Sequence, residues 1–256
     1  MAWDPQQYLA FADHRLRPVF DLLARVPAER PARVTDLGCG AGNATKILRE
    51  KWPSAAITGI DSSPEMLARA RTESPDITWV QSDIAAWRPA EKPDVLFTNA
   101  ALHWLGDHET LFPALAAQVR PGGYFAVQMP ANFRAPSHST IETVGRDPRW
   151  RREIEPLIKA PPTKEPEFYY DLLSPITASL DIWQIEYLQV LHGDDPVAAF
   201  TKGSWLPQFL EALEEPRRSE FEAEYRARLR AAYPKRANGA TLFPFKRLFI
   251  VAQIRG

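Results

Sequence analysis

A glycine-rich turn with a carboxylate inside it is the strongest chemical signal in this sequence. The turn reads Asp36-Leu37-Gly38-Cys39-Gly40-Ala41-Gly42 and follows the strand-like run Arg33-Val34-Thr35. Glycines let a strand turn sharply into a helix, here beginning near Asn43, and leave backbone N–H groups open to a ligand. Because Asp36 brings a negative charge to the turn, the pattern favours a ligand that carries positive charge.

The spacing of the glycines argues against a dinucleotide. Turns that bind a pyrophosphate read G-x-G-x-x-G or G-x-G-x-x-A, whereas Asn43 stands at the third position of this motif. Asp36 would also repel a pyrophosphate. S-adenosylmethionine instead offers an ammonium and a sulfonium to the carboxylate, and its own carboxylate suits a helix start. The glycines alone are also compatible with a purely structural turn.

A second acidic residue, Asp61, ends the predicted strand Ala56–Ile60. An acidic residue about 20 positions after the glycine turn is where nucleotide-binding folds hold a ribose diol. Ser62-x-x-Glu65 reads as a capping box that opens a helix through Met66. We therefore predict Ser62 as the helix cap, which leaves Asp61 for a ligand.

Two further strands end in polar residues. Ile77–Gln81 leads to Asp83, which is placed to accept a hydrogen bond from an adenine amine, and Asp94–Asn99 leads to His103 and Trp104. A helix over 109–119 and a strand over 124–128 follow. This alternation predicts an α/β fold with a parallel, doubly wound sheet, in which ligands bind outside the carboxyl ends of the strands.

These motifs resemble the class I S-adenosylmethionine-dependent methyltransferases over the first 128 residues. The resemblance implies a Rossmann-like sheet with S-adenosylmethionine as the cofactor. It places Asp36 and Gly38 at the methionine end and Asp61 at the ribose. Asp83 and Ile84 would face the adenine, and Asn99 the methionine region. The full set of cofactor-binding residues is then Asp36, Gly38, Gly40, Asp61, Ser62, Met66, Asp83, Ile84 and Asn99.

Composition narrows the function classes. The 256 residues are 45% hydrophobic and 25% charged, which fits one folded unit with a sizeable core. The net charge of −1 gives no electrostatic footprint for nucleic acid or an anionic membrane. The single Cys39 excludes an internal disulfide, and His103 and His108 lack companions at metal-ligand spacing, so no metal is expected. Without a targeting or membrane-spanning pattern, a cytoplasmic protein is expected. The oligomeric state is left open.

The chain outside the first half is predicted to complete the sheet and to cover it. Alternating segments at 180–188 and 246–252 predict a closing antiparallel hairpin, and a mainly helical cap is expected over the site. Phe221, Tyr225, Leu229 and Ala232 share one helix face. The predicted divisions are a cofactor-binding core with N-terminal helices at 1–129, a cap insertion at 130–179, a core strand at 180–194, a helical cap segment at 195–240 and a final core strand at 241–256. The alternative to a cap is that the two segments outside the core are separate surface insertions exposed to solvent.

A narrower resemblance runs nearly end to end. Trp3-Asp4-Pro5, Arg15-x-Arg17-Pro18, Gly59–Pro64, Val127–Pro130 and Arg247–Ala252 are similar to the trans-aconitate 2-methyltransferase family. That resemblance implies methyl transfer to one carboxylate of trans-aconitate, a small tricarboxylic acid, giving a monomethyl ester and S-adenosylhomocysteine. The chain departs from the family at Lys202-Gly203-Ser204-Trp205-Leu206-Pro207, where Thr-Gly-Leu-Arg-Pro is expected. This departure puts the acid in doubt, although Lys202 offers a replacement charge.

The predicted chemistry needs no catalytic acid or base. A carboxylate with a pKa of about 4 is already ionised at neutral pH and needs no general base. In other small-acid carboxyl methyltransferases a tryptophan at the place of Trp104 donates its indole N–H to the acid, and the His14-Arg15 pair is similar to a Gln-Arg pair in some of them. The alternative for Trp104 is packing over an edge of the core, and the alternative for Arg15 is a solvent-exposed helix charge. The candidate substrate-binding residues are Trp104, Arg15, His103, His14, Tyr8, Gln128, Asn132, Lys202 and Arg247.

Competing functions differ in class. A nicotinamide-dependent oxidoreductase is disfavoured by the glycine spacing and by Asp36. A nucleic-acid amino-methyltransferase would carry Asn/Asp-Pro-Pro-aromatic after the fourth strand, where this chain has Asn99-Ala100-Ala101-Leu102. A methyltransferase for another small carboxylic acid and a non-catalytic S-adenosylmethionine-binding protein stay open.

Overall fold

The structure is a computed structural model that describes residues 12–256, and their side chains from residue 16 onward. Tyr8 lies outside the described residues, and so do the side chains of His14 and Arg15. The substrate-binding roles predicted for these three residues therefore stay predictions.

A seven-stranded sheet forms the framework of residues 12–256. Its strands are β1 Arg33–Leu37, β2 Ala56–Asp61, β3 Thr78–Gln81, β4 Val95–Asn99, β5 Tyr124–Pro130, β6 Thr177–Leu191 and β7 Thr241–Ile254. Their order across the sheet is β3-β2-β1-β4-β5-β7-β6. The pairs β3–β2, β2–β1, β1–β4 and β4–β5 are parallel, and β6 and β7 form an antiparallel hairpin. The predicted fold class is confirmed.

The strand order creates a switch point between β1 and β4. From β1 the sheet grows through β2 and β3 to one side, and from β4 through β5 to the other. In doubly wound sheets such a reversal leaves a crevice outside the carboxyl ends of the two strands. The glycine turn follows β1, and the segment with His103 and Trp104 follows β4. Two of the predicted motifs therefore flank the crevice.

Helices connect the strands and build the rest of the described chain. They are α1 Ala12–Leu23, α2 Asn43–Lys51, α3 Pro64–Glu73, α4 His108–Ala116, α5 Pro136–Gly145, α6 Arg151–Ile154, α7 Pro166–Leu173, α8 Pro196–Lys202, α9 Pro207–Leu210 and α10 Arg217–Ala232. A 3₁₀ turn at Leu102–Trp104 lies between β4 and α4. No helix in residues 12–256 is both long and apolar enough to span a membrane.

The chain divides into two units, which we call the sheet unit and the insert unit. The sheet unit contains Arg15–Pro130, Thr163–Ile185 and Leu248–Gly256, and the insert unit contains Ala131–Pro162 and Glu186–Arg247. In the insert unit, aromatic rings pack edge to face, as Trp150 and Phe221 do with centroids 5.4 Å apart. Each unit therefore has a core of its own.

The predicted domain boundaries stay a prediction. Within the sheet unit, helix α7 packs against α4, because Tyr169 of α7 is fully buried and lies 4.7 Å from Phe112 of α4, between ring centroids. Aromatic packing of this kind is worth about 0.5–1.5 kcal/mol beyond the buried area. It ties α7 to the rest of the sheet unit.

Helix α10 follows the predicted pattern with one exception. Phe221, Tyr225 and Leu229 are buried, but Ala232 is exposed because the helix ends there. Two ion pairs with i,i+4 spacing lie along the helix, with Arg226 2.5 Å from Glu222 and Arg228 2.6 Å from Glu224. Such pairs add only about 0.3–0.5 kcal/mol each.

The middle of β2 has room for a glycine only. Gly59 pairs in register with Asp36 on one side and Trp79 on the other. A Cβ on Gly59 would stand 2.3 Å from the Trp79 ring, and one on Gly42 of the glycine turn would stand 2.5 Å from the same ring. The indole of Trp79 thus packs on bare backbone of both the strand and the turn.

We predict that Gly59→Ala lowers the free energy of unfolding by about 1–3 kcal/mol, because the Trp79 indole must shift in a packed interior. Gly106→Ala is the control, since a Cβ there meets no atom within 4 Å. Thermal and urea unfolding measure both variants. Equal stability of the two would contradict the packing described for Trp79.

Candidate active site

The glycine turn after β1 is held by close backbone contacts. At Gly38, the first glycine of the turn, these contacts leave no room for a side chain. Gly38 has a φ of 78°, and a Cβ there would stand 2.3 Å from the Cβ of Ala101, which follows β4. The N–H groups of Gly38 and Cys39 donate to the carbonyl of Ile60 at 2.8 and 2.9 Å. The turn is therefore fixed to the end of β2 and pressed against the segment after β4.

Asp36 lies beneath this turn as a buried carboxyl. It is 1% exposed, and the hydroxyl of Thr45 on α2 donates to its Oδ2 at 2.6 Å. Burial raises the pKa of Asp36 to about 7, the hydrogen bond from Thr45 lowers it, and the charge of Asp61 raises it further. A group with this pKa is partly protonated at neutral pH. A cation placed beside it would favour the ionised form.

Asp61 joins the end of β2 to the glycine turn. Its Oδ2 accepts the N–H of Gly40 at 2.8 Å, and its Oδ1 accepts the N–H of Ser63 at 2.9 Å. A carboxylate has about four lone-pair directions, so these two bonds leave acceptor capacity on a side chain that is partly exposed. Asp61 thus combines a structural contact with room for ligand hydroxyls.

The predicted capping box at Ser62 is wrong. The N-cap of α3 is Ser63, whose Oγ accepts the N–H of Met66 at 3.3 Å. The helix begins one residue later than predicted because Pro64 occupies its first position, where a missing N–H is tolerated. Ser62 is exposed beside Asp61, and Met66 is half-buried in the first turn of α3.

Beyond β3, the structure brings Ile84 to the glycine turn and leaves Asp83 at the surface. The Cδ1 of Ile84 lies 3.2 Å from the place of a Gly38 Cβ. The exposed Asp83 accepts the N–H groups of Ala85 and Ala86 at 2.7 and 3.3 Å through its Oδ1. Its carboxylate therefore shapes the turn that presents Ile84.

Asn99 and Gln128 sit side by side at the carboxyl ends of β4 and β5, where they pair in register. The Oδ1 of Asn99 is buried without a hydrogen-bond partner in the described part of the chain. A buried acceptor of this kind costs about 1–3 kcal/mol unless something donates to it. Together with Asp36 and Asp61, it makes the crevice rich in acceptors, which suits a ligand carrying an ammonium group.

Trp104 lies on a turn whose geometry is unusual. Ala100, just after β4, has a left-handed backbone with a φ of 54°, and the 3₁₀ turn Leu102–Trp104 follows. Trp104 is 47% exposed, while His103 is buried with its ring centroid 4.8 Å from that of Trp104. A large aromatic side chain is thus presented outside the carboxyl end of β4, as predicted from residue order.

Two of the predicted substrate-binding residues, Asn132 and Lys202, form hydrogen bonds within the insert unit. Asn132 accepts the N–H of Lys246 at 3.2 Å and donates to the hydroxyl of Ser137, also at 3.2 Å. Both oxygens of Glu222 lie 3.0 Å from the ammonium of Lys202. The predicted roles of Asn132 and Lys202 in substrate binding would require these contacts to be shared or broken.

Arg247, the third candidate in the insert unit, is buried. Its guanidinium lies 4.8 Å from the centroid of the Phe245 ring. Residues 12–256 contain no group of three His, Cys, Asp or Glu side chains that could hold a metal ion.

Sequence patterns missed one hydrogen-bonded pair close to Trp104. His108 at the start of α4 contacts the hydroxyl of Tyr169 on α7 at 2.8 Å, although 61 residues separate the two. The sequence carries no signal for this contact, because His108 precedes the predicted helix over 109–119 and no helix is predicted around Tyr169.

Comparisons with known proteins agree with this geometry. A family profile described as a methyltransferase domain matches residues 8–159. The trans-aconitate 2-methyltransferase of Azoarcus sp. (strain BH72) is 46% identical over 251 residues, covering 98% of each chain. That of Methylobacterium nodulans is 44% identical over 253 residues, again covering 98% of each.

Among solved structures, the YcgJ protein from Bacillus subtilis has the same fold, with a TM-score of 0.60 and 14% identity over 94% of this chain and 99% of that one. The domain match covers more than half of the 256 residues, and the curated relatives cover nearly all of them. The chain therefore belongs to the trans-aconitate 2-methyltransferase family of methyltransferase-domain proteins.

Proposed function

We propose that this protein transfers a methyl group from S-adenosylmethionine to one carboxylate of trans-aconitate, giving the monomethyl ester and S-adenosylhomocysteine. The observation that carries the proposal is the acceptor-rich crevice at the switch point of the sheet, where Asp36 and Asp61 flank the glycine turn. The substrate named for the relatives supports the choice of acid.

The residues of the crevice fit the cofactor. Asp36 and the buried Oδ1 of Asn99 are acceptors for its ammonium, and Asp61 retains acceptor capacity for ribose hydroxyls. Ile84 offers an apolar contact to the adenine ring. The residues proposed to hold S-adenosylmethionine are Asp36, Gly38, Gly40, Asp61, Ser62, Met66, Asp83, Ile84 and Asn99. When bound, the cofactor supplies an electrophilic methyl group on a sulfonium.

The work of the protein in this reaction is positioning. The acid is ionised at neutral pH, so no side chain has to remove a proton. Holding reactants in line is worth up to about 7–11 kcal/mol of the barrier. In the sheet unit, Trp104, His103, Gln128 and Arg15 are the proposed contacts to the acid.

The pairing of Lys202 with Glu222 keeps one alternative in place. A cation already bound by a carboxylate is a weaker partner for an anionic substrate. A smaller carboxylic acid is the better substrate if one carboxyl of trans-aconitate finds no partner among the remaining candidate residues, Lys202, Arg247, Asn132, His14 and Tyr8. The alternative function is therefore methyl transfer to another small carboxylic acid.

The function is tested by incubating the protein with methyl-labelled S-adenosylmethionine and a panel of mono-, di- and tricarboxylic acids. We expect trans-aconitate to give a labelled monomethyl ester, detected by mass spectrometry, at a higher kcat/KM than any other acid of the panel. Higher activity on a dicarboxylic acid would favour the alternative. Binding of S-adenosylhomocysteine without labelling of any acid would indicate a non-catalytic binding protein.

Trp104→Phe keeps the aromatic body and removes only the indole N–H. We expect kcat/KM for the acid to fall by roughly ten- to a hundredfold, the value of one hydrogen bond to a charged group. The affinity for S-adenosylhomocysteine, measured by calorimetry, should not change. Trp52→Phe is the control, because the Trp52 indole donates to the Ala28 carbonyl at 2.9 Å and has no proposed role. Full activity of Trp104→Phe on every accepted acid would leave Trp104 a packing role only.

Two pH dependences should separate binding from chemistry. Because the pKa of Asp36 is raised to about 7, a cationic ligand must displace a proton below that pH. Affinity for S-adenosylmethionine should then rise by up to about tenfold per pH unit below 7 and level off above it. Turnover at saturating substrates should stay flat between about pH 6.5 and 8.

Calorimetry and steady-state kinetics across this range measure both properties. Asp36→Asn is the control, with weaker affinity that no longer varies with pH. Constant affinity in the unchanged protein, or a bell-shaped turnover that product release does not explain, would contradict the assignment of Asp36 or the base-free chemistry.

A further inference from the structure

The turn that carries Trp104 is held in place by a chain of buried hydrogen bonds from helix α7. His108 places its Nε2 2.9 Å from the carbonyl of Leu102, the first residue of the 3₁₀ turn. Its Nδ1 lies 2.8 Å from the hydroxyl of Tyr169, and that hydroxyl oxygen accepts the N–H of Lys164 at 3.1 Å. His108 and Tyr169 are both buried.

The direction of each hydrogen bond follows from what its partners can do. A carbonyl only accepts, so Nε2 of His108 carries the proton. Burial lowers the pKa of His108, which favours the neutral ring with a bare Nδ1. Tyr169 therefore donates to Nδ1 and accepts from Lys164. The chain of bonds is complete only with both side chains present.

The Leu102 carbonyl is the point at which this chain controls the turn. It also accepts the N–H of Leu105 at 3.0 Å, while the N–H of Trp104 donates to Ala101 at 3.0 Å. His108 thus fixes the same peptide that closes the turn around Trp104. A shift of His108 would move that peptide and, with it, the direction of the indole.

Backbone strain marks the same segment. The described residues contain two non-glycine residues with positive φ, Ala100 at 54° and Asp107 at 52°, and they stand on either side of the Trp104 turn. Such conformations cost free energy and persist where surrounding contacts impose them, most often at functional sites. Asp107 also caps α4 by accepting the N–H of Thr110.

We propose that His108 and Tyr169 are positioning residues for the acceptor acid, because they hold the Trp104 turn in the orientation in which its indole meets the substrate. This inference rests on the proposed function and on the contact between Trp104 and the acid. It assigns a task to helix α7, which the chemistry itself does not use.

The first test removes the tyrosine hydroxyl. Tyr169→Phe should raise the KM for trans-aconitate by roughly three- to tenfold, the value of one neutral hydrogen bond. The Kd for S-adenosylhomocysteine should stay unchanged. Tyr170→Phe is the matched control, because Tyr170 is the next residue of α7 and is 56% exposed; it should behave as the unchanged protein.

The second test asks whether the hydrogen bonds or the bulk of His108 matter. His108→Gln keeps a donor for Leu102 and an acceptor for Tyr169, so it should retain a KM closer to that of the unchanged protein than His108→Leu does. Far-UV circular dichroism and S-adenosylhomocysteine binding identify which variants are folded. If neither His108 variant folds, the tyrosine variants still decide.

A double-mutant cycle tests whether the hydrogen bonds of His108 and Tyr169 act through Trp104. If Tyr169 acts through Trp104, the Tyr169→Phe change should add little to the effect on acid KM once Trp104→Phe is present. Independent, multiplying effects would overturn the inference, and so would an unchanged KM in Tyr169→Phe. A loss of thermal stability with no change in acid KM would show a structural role only.

The outcomes also separate this inference from the proposed function. If the unchanged protein methylates trans-aconitate while Tyr169→Phe keeps its KM, the function stands and the inference fails. If the unchanged protein methylates no acid of the panel, the proposed function fails and this inference fails with it.

Discussion

The close approach of two chain segments that leave neighbouring strands is the constraint on which the site depends. Gly38 follows β1, Ala101 follows β4, and only the missing side chain of Gly38 lets the two backbones meet. Packed interiors yield little to added volume. A side chain at Gly38 would therefore push the segment after β4 away from the glycine turn. This contact joins the turn that follows Asp36 to the segment that leads to Trp104, and the Cδ1 of Ile84 lies 3.2 Å from the place of a Gly38 Cβ.

The buried Asp36 carboxyl lowers the free energy of unfolding at neutral pH in the absence of a ligand. Its pKa is raised from 3.8 to about 7 by burial, so the folded chain holds this proton over a range in which the unfolded chain has released it. The sign follows directly: this group lowers stability progressively as pH rises from about 4 to 7. The hydrogen bond from Thr45 offsets part of the cost. A buried carboxyl that destabilises the fold at neutral pH is understandable where a cation is to be bound, since functional sites are where local rules are broken.

Sequence reasoning succeeded where the information is local. The alternation of short apolar runs with glycine or acidic residues placed β1 to β4 and the residues at their carboxyl ends, because strand length and turn chemistry depend on near neighbours. It placed the helix cap at Ser62 instead of Ser63 because it gave the serine pattern more weight than Pro64. It could not foresee that Glu222 binds Lys202 or that Tyr169 reaches His108. Those pairs are made by helices that meet only after the chain has folded, and no periodicity encodes the partner.

The two halves of the crevice are built on different physical principles. Around the glycine turn, acceptors sit on strand ends and are fixed by backbone hydrogen bonds such as the one between Asp61 and Gly40. The Trp104 turn lies beyond the end of β4, and the N–H of Ala100, at its start, donates to a strand, to the Gln128 carbonyl of β5 at 2.9 Å. Further along, the Leu102 carbonyl is held by His108, and a strained residue stands on each side of the turn. Groups on strands are hard to move without disturbing the sheet. The orientation of the Trp104 turn, in contrast, can be altered by substituting His108 or Tyr169. We therefore expect differences in acceptor acid between related chains to arise more readily around α4 and α7 than around the glycine turn.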